Sequence, residues 1–222
     1  VAADIVESSE LSEQSRRELP HLLRSTYQEI QSIREEALPY DIAISSGDEW
    51  RIYIEPHEWA LVASLLFWSK LRIHGVESRM VLSVGTVDFL AGGDLNEADG
   101  AAFRTAGRHL ATKMEEHDRF ELLFAGLDTD DTALLTCRDL FTELVELLMT
   151  QWTEAQTRAV GAMLNGYLQN NRNTHESIAK NWKPEPVSRQ TVSEHLKRAE
   201  WYRLERTLHS YHSLATSESL SQ

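Results

Sequence analysis

Ile178-Ala179-Lys180-Asn181-Trp182, followed by Val187-Ser188-Arg189-Gln190-Thr191-Val192-Ser193-Glu194-His195-Leu196, reads as a helix, a turn and a second helix. Ser188 suits the start of that second helix, because its hydroxyl oxygen can accept from the first free backbone amides. Val192, Leu196 and Ala199 then recur at i, i+4 and i+7, which puts three apolar side chains on one face. The same spacing leaves Arg189, Gln190, Ser193, Glu194, Lys197 and Arg198 facing outward. A helix-turn-helix needs this division: a buried stripe holds the second helix, and its outward side chains reach base edges in a major groove. The tail is therefore expected to bind double-stranded DNA, with the rest of the chain acting as a sensor or enzyme attached to it.

Charge is distributed in keeping with that expectation. The 222 residues carry a formal net charge of -13. Residues 151–222 hold 9 Lys and Arg against 7 Asp and Glu, whereas residues 1–150 hold 13 against 28. A polyanion is thus expected at the C-terminal part. The small positive excess there argues against a protein that coats nucleic acid without specificity. Hydrophobic content of 41% and charged content of 26% are those of a globular protein. The single cysteine, Cys137, excludes an internal disulfide and fits a reducing cytoplasm. Cys137 itself reads as a buried or partly buried structural thiol. The longest apolar run, Trp59 to Trp68 broken only by Ser64, is too short to span a bilayer and reads as a buried helix. No membrane partner is expected, and no segment reads as a signal peptide.

Upstream of the tail the periodicities alternate. Val1 to Val6 reads as a strand, and Ser12 to about Glu36 as a helix through Leu19, Leu22, Leu23, Tyr27, Ile30 and Ile33. Asp41 to Ser45 and Arg51 to Ile54 read as a hairpin around Ser46-Gly47-Asp48-Glu49. A helix over His57 to Ile73 follows Pro56 and stops at His74-Gly75. Then come a strand from Met80 to Val84, a Gly- and Asp-rich loop from Leu90 to Asp99, a helix from Gly100 to Glu116 and a strand from Phe120 to Ala125. The order β-α-β-β-α-β-α-β suits an α+β, ferredoxin-like core. Residues 1–128 are assigned to it, 129–150 to a linking or dimerisation helix, 151–215 to the all-α tail domain and 216–222 to a disordered end. Thr129 to Thr132 is the expected linker. Thr153 is placed to cap the first tail helix, with Gln156 in its first turn. Leu140, Phe141, Leu144, Val145, Leu147 and Leu148 make an unusually wide apolar face, which either packs between the domains or pairs with a second chain.

Two acidic residues stand out against this core. Asp4 lies in the first strand and Asp48 in the hairpin turn, which adjoin in a ferredoxin-like sheet. Together they could share Mg²⁺ or Mn²⁺, hard cations that take oxygen ligands and often a nucleotide's phosphates as well. Gly47 would let the backbone approach a phosphate, and Glu49 could add a ligand or a base. The alternative is a solvated hairpin tip, with Asp4 capping the next segment.

Asp4-Ile5-Val6, Ser46-Gly47-Asp48-Glu49-Trp50, Ser83-Val84-Gly85 and Gly100-Ala101-Ala102-Phe103-Arg104-Thr105-Ala106-Gly107-Arg108 resemble, in order and spacing, the class III nucleotidyl cyclases. The hairpin is also similar to the GGDEF signature of diguanylate cyclases. The tail resembles the LuxR/FixJ type of reader through Thr153, Gln156, Ile178, Ala179, Ser188, Thr191, Val192, His195 and Leu196. Taken together, nearly the whole chain resembles the SatD family, bacterial proteins with a nucleotidyl cyclase-like half and a DNA-binding-like tail. The resemblance implies Asp4 and Asp48 as metal carboxylates, a nucleoside triphosphate as ligand, and Arg108 as the arginine that steadies it. The pattern departs from the cyclases where Arg104 stands for an asparagine, and where Ile44 and Ser45 occupy the place of a lysine. The turn through Lys183-Pro184-Glu185-Pro186 is also longer than in the common reader, and its two prolines stiffen it.

Within the tail, Arg189 and Gln190 are the expected base readers, since arginine pairs with guanine and glutamine with adenine. Lys180, Ser188, Thr191, Lys197 and Arg198 are expected near phosphates, with Ser193 on the same face. A protein-binding module of the same shape is the alternative. Arg104 and Arg108, one turn apart, either grip phosphate or neutralise Asp94, Glu97 and Asp99. Glu205, His209 and His212 have metal-ligand spacing but no fourth ligand, and read as a solvated face. DNA readers of this kind bind two half-sites as dimers, so a homodimer is expected. An active nucleotidyl cyclase or related nucleotide-converting enzyme, with a partner-binding tail, is the competing function.

Overall fold

The computed structural model describes residues 1–45, 47–112, 118–125 and 132–219. Five strands form one mixed sheet: β1 (Ala2–Ile5), β2 (Ala43–Ser45), β3 (Glu49–Arg51), β4 (Ser78–Val84) and β5 (Phe120–Phe124). Their spatial order is β2-β3-β1-β4-β5. Every neighbour is antiparallel except β4 and β5, which run parallel. The described helices are α1 (Glu13–Ile33), α2 (Ala60–Ile73), α3 (Ala101–Thr112), α4 (Thr132–Gln151), α5 (Glu154–Leu168), α6 (His175–Lys180), α7 (Arg189–Arg198) and α8 (Trp201–Ser219). The chain is therefore α+β. Among the described residues, no helix is long and apolar enough to cross a membrane.

Alternation within the strands sorts residues onto the two sheet faces. Ala3, Ile5, Trp50, Ile52, Met80, Leu82, Phe120 and Leu122 belong to the large core. Ala2, Val81 and Leu123 make a small second cluster with Ala106 of α3. The hairpin strand starts earlier than the sequence pattern suggests, at Glu49 rather than Arg51. The reason is Trp50, which is fully buried with its ring stacked 4.3 Å from Phe67 of α2. Gly47 takes a left-handed φ of 88° in the hairpin loop, a conformation that suits glycine.

Eleven of the fourteen residues of α2 are buried. Such all-round burial means a helix covered on both sides. On one side lies the sheet. On the other lies α5, where Gly161 passes close to Ser69. Ser64 and Ser69 tolerate this by donating to the carbonyls of Ala60 and Leu65, each at 2.7 Å. One continuous core thus runs from Ala3 in β1 to Ala215 in α8.

Further contacts lock the tail onto the sheet half. The buried Trp152 indole donates to the Ala199 carbonyl at 3.0 Å, and its ring meets Trp68 edge-on. The Arg34 guanidinium donates to the carbonyl of Leu168, the last residue of α5, and lies 3.9 Å over the Trp59 ring. Arg72 donates to the Trp152 carbonyl at 3.1 Å. Thr153 caps α5 through a reciprocal pair of hydrogen bonds with Gln156, as its sequence position suggests.

Four more sequence readings change or fall outside the described residues. Helix α8 continues to Ser219, into the stretch expected to be disordered, with the Thr216 hydroxyl bonded to the His212 carbonyl. The expected linker falls largely on 126–131, outside the described residues, as does the end of the helix expected to reach Glu116. Cys137 is exposed rather than buried, because α4 turns Val145 and Met149 inward instead.

Candidate functional sites

The strand register brings the hairpin tip beside the end of β1. Ala2 faces Arg51 and Ala3 faces Trp50. Continued one step, that register sets Glu49 beside Asp4. The Ser8 hydroxyl, just past β1, donates to the Asp48 carboxylate at 2.6 Å. Asp4, Asp48 and Glu49 therefore share one end of the sheet, as expected.

The side chains do not make a cation site there. In the next strand Arg79 faces Asp4. Its guanidinium donates to both carboxylate oxygens, at 2.9 and 2.5 Å. A fork-on-carboxylate pair is the strongest common ion pair, and it uses the lone pairs a metal would need. Among the described residues, no group of three or more His, Cys, Asp or Glu side chains is arranged to hold a metal ion. The arrangement as it stands does not fit Mg²⁺ or Mn²⁺ held by Asp4 with Asp48.

Arg104 is similarly committed. It binds Asp99 at 2.7 Å and Asp88 at 3.3 Å, and these carboxylates hold it still further in its charged form. Neutralisation of the acidic loop, one of the two sequence readings, describes Arg104 in this arrangement. Arg108 is exposed and has no ion pair among the described residues. The Glu205, His209 and His212 side chains go separate ways: to Arg172, to the Tyr167 hydroxyl and against the Trp59 ring.

In the tail, the Ser188 hydroxyl accepts from the Thr191 amide at 3.0 Å and caps α7. Val192, Leu196 and Ala199 are buried, against Ile178 and Ala179 of α6 and the rest of the core. The long turn between α6 and α7 is closed. The Val187 amide donates to the Ala179 carbonyl at 3.1 Å, and the Trp182 ring stacks on His195 at 5.7 Å. Arg189, Gln190, Glu194, Lys197 and Arg198 are exposed, and Thr191 and Ser193 half-buried beside them. Arg189, Lys197 and Arg198 have no ion pair among the described residues, whereas Lys180 is held by Glu176 at 2.9 Å. Three cations left unpaired on one short helix can bind an outside anion without first breaking an internal bond.

Sequence reasoning missed Arg79, which decides the state of Asp4, because only cross-strand register reveals it. It also passed over Trp152, whose place after an apolar helix was the available signal. Compared with protein-family models, with curated proteins and with solved structures, the chain matches none.

Proposed function

We propose that this chain is a DNA-binding transcriptional regulator whose tail is a helix-turn-helix. The observation that carries the reading is the face of α7. Its inner stripe is fully buried, while Arg189, Gln190, Lys197 and Arg198 point out, free of ion pairs among the described residues. That combination suits major-groove entry, with Arg189 and Gln190 at base edges and Ser188, Thr191, Lys197 and Arg198 near phosphates. Fluorescence anisotropy on duplexes selected from a random library tests it. Arg189→Ala with Gln190→Ala should weaken binding by about 30-fold or more, with the fold intact. Unchanged affinity would remove the base-reading role.

For the sheet half we infer a nucleotidyl cyclase-like, ferredoxin-like domain of the SatD kind. Supporting this are the connection order β1-α1-β2-β3-α2-β4, the antiparallel spatial order β2-β3-β1-β4, and the hairpin tip beside β1. With Asp4 tied to Arg79, its role in this reading is ligand sensing or support rather than catalysis. The competing reading, an active nucleotidyl cyclase, is favoured by the shared position of Asp4 and Asp48 alone. Incubation with each nucleoside triphosphate and Mn²⁺ decides between them, since turnover would establish the enzyme.

The regulator is proposed to act as a homodimer through α4. Leu140, Leu144 and Leu147 are all more than half exposed. With the exposed Cys137 they follow a 3-4-3 spacing. This is the seam by which two like helices pair, and two copies would present two recognition helices to two half-sites. Leu144→Asp should halve the mass measured by light scattering. A wild type that is monomeric with and without DNA would end the proposal.

A further inference from the structure

The outward face of α7 contains one group that does not belong on a surface meant for phosphates. Glu194 is exposed. At about 100° per residue it lies about 170° round the helix from the mean direction of Val192, Leu196 and Ala199. It is thus near the centre of the face that would enter a groove, closer to the centre than Arg189.

Glu194 also has no ion pair among the described residues. The tail's other helical glutamates with described side chains each meet a cation: Glu154 with Arg158, Glu176 with Lys180, and Glu205 with Arg172. Glu200, at the start of α8, meets Arg203. Lys197 and Arg198 stand three and four residues beyond Glu194, the spacing at which such pairs form. Glu194 instead accepts from the side-chain amide of Gln190, at 3.3 Å. Its carboxylate is therefore central on that face and tethered beside a proposed base reader.

We propose that Glu194 is a specificity-determining residue that selects a C·G pair, an inference that rests on the DNA reading of the tail. An ionised carboxylate can only accept hydrogen bonds. Over phosphate it is repelled. Over thymine or guanine edges it meets acceptors. Over cytosine it meets the N4 amino donor, and a glutamate–cytosine contact is one of the direct pairings of the major groove. Adenine offers a donor too, but its N7 acceptor lies alongside and opposes a second carboxylate oxygen. Gln190, which both donates and accepts, holds the carboxylate in register and reads the neighbouring pair.

The test is selection from a random duplex library with wild type, Glu194→Ala and Glu194→Gln. Glu194 is exposed, so both variants should fold, and thermal unfolding checks this. Wild type should enrich a motif with cytosine at one position. Glu194→Ala should lose about tenfold or more of the preference at that position alone, and should bind unselected duplex more tightly because a negative charge has gone. Glu194→Gln should move the preference there toward adenine. A Glu194→Ala motif identical to wild type overturns the inference and leaves the DNA reading standing. Equal loss at every position also overturns it, since that describes a structural residue. A wild type that enriches no motif overturns both.

Discussion

The hairpin end of the sheet and the outward face of α7 are both dense in charge, and they differ in how those charges are spent. At the sheet end Asp4 is locked to Arg79 and Asp48 accepts from Ser8, and past the opposite end of β4 Arg104 is held by Asp99 and Asp88. On α7 Arg189, Lys197 and Arg198 stand without ion pairs among the described residues. A charge already satisfied inside the protein must break that bond before it binds anything else, whereas an unpaired surface charge need only shed water. The difference is what supports the proposal that recognition belongs to the tail and that the sheet half folds, supports or senses. It also shows why residue type alone misleads: Arg104 and Arg189 are equally basic in sequence and opposite in availability.

The sharpest way to break this comparison is to show that the two regions are not one body. Trp152 is buried between them and donates to Ala199. Trp152→Ala should cost about 3–5 kcal/mol, the range for deleting a large buried aromatic. Because the core is continuous, denaturant unfolding should keep a single transition at a lower midpoint. Two separate transitions, with only the tail shifted, would mean that the halves are independent and that a ligand at one cannot bias the other.

The next largest effect belongs to the proposed recognition face. Arg189→Ala and Gln190→Ala should each cost about 1–3 kcal/mol of DNA binding. Folding stability should change by less than about 0.5 kcal/mol, since both side chains are exposed. Paired anisotropy and thermal-unfolding measurements check this. Lost stability with unchanged binding would reverse the assignment of roles.

A smaller effect is expected at the sheet end. Asp4→Asn takes away the carboxylate charge that the partly buried Arg79 grips. With side chains 19% and 26% exposed, solvent screens the pair, and the cost should be about 1–2 kcal/mol. Arg79→Ala has the converse use, because it frees the Asp4 carboxylate. Mn²⁺ should then raise the melting temperature of Arg79→Ala and leave wild type unmoved, as linkage requires of a ligand that binds only one form. Stabilisation of wild type by Mn²⁺ would mean that the Asp4–Arg79 pair yields to metal.

How far the sequence reveals all this follows from the range of each interaction. The order of strands and helices among the described residues up to 125 is local, and the periodicities report it, although they set the second hairpin strand too late. The cap at Ser188 and the box at Thr153 span three residues and are equally legible. The Asp4–Arg79 pair joins residues 75 apart, and only the β1–β4 register places them face to face. The nearly unbroken apolar run of α2 says locally that the helix is covered all round, but not that α5 is what covers the side away from the sheet. The apolar breadth of α4 is plain from its leucines. Which of them point inward is decided by β5 and the packing around Val145 and Met149.

The last prediction concerns the join of α4 to the sheet. The half-buried Glu146 carboxylate accepts the backbone amides of Arg119 and Phe120, and so ties α4 to the start of β5. Burial pushes its pKa above the ordinary 4.5, with Asp118 and Glu143 adding to the rise, while the two amides oppose it. An acid whose pKa is raised on folding holds more protons in the native state than in the unfolded one, within the window above 4.5. Stability must therefore fall as pH climbs through that window. Glu146→Gln keeps an oxygen for both amides and removes the titration. Its stability should be flatter with pH than that of wild type, with the two curves closest at the acid end. Urea midpoints taken at intervals from pH 4.5 upward measure the difference. Parallel curves would mean that the carboxylate is as well solvated in the fold as in the unfolded chain, and that its two backbone bonds, rather than its burial, set its charge.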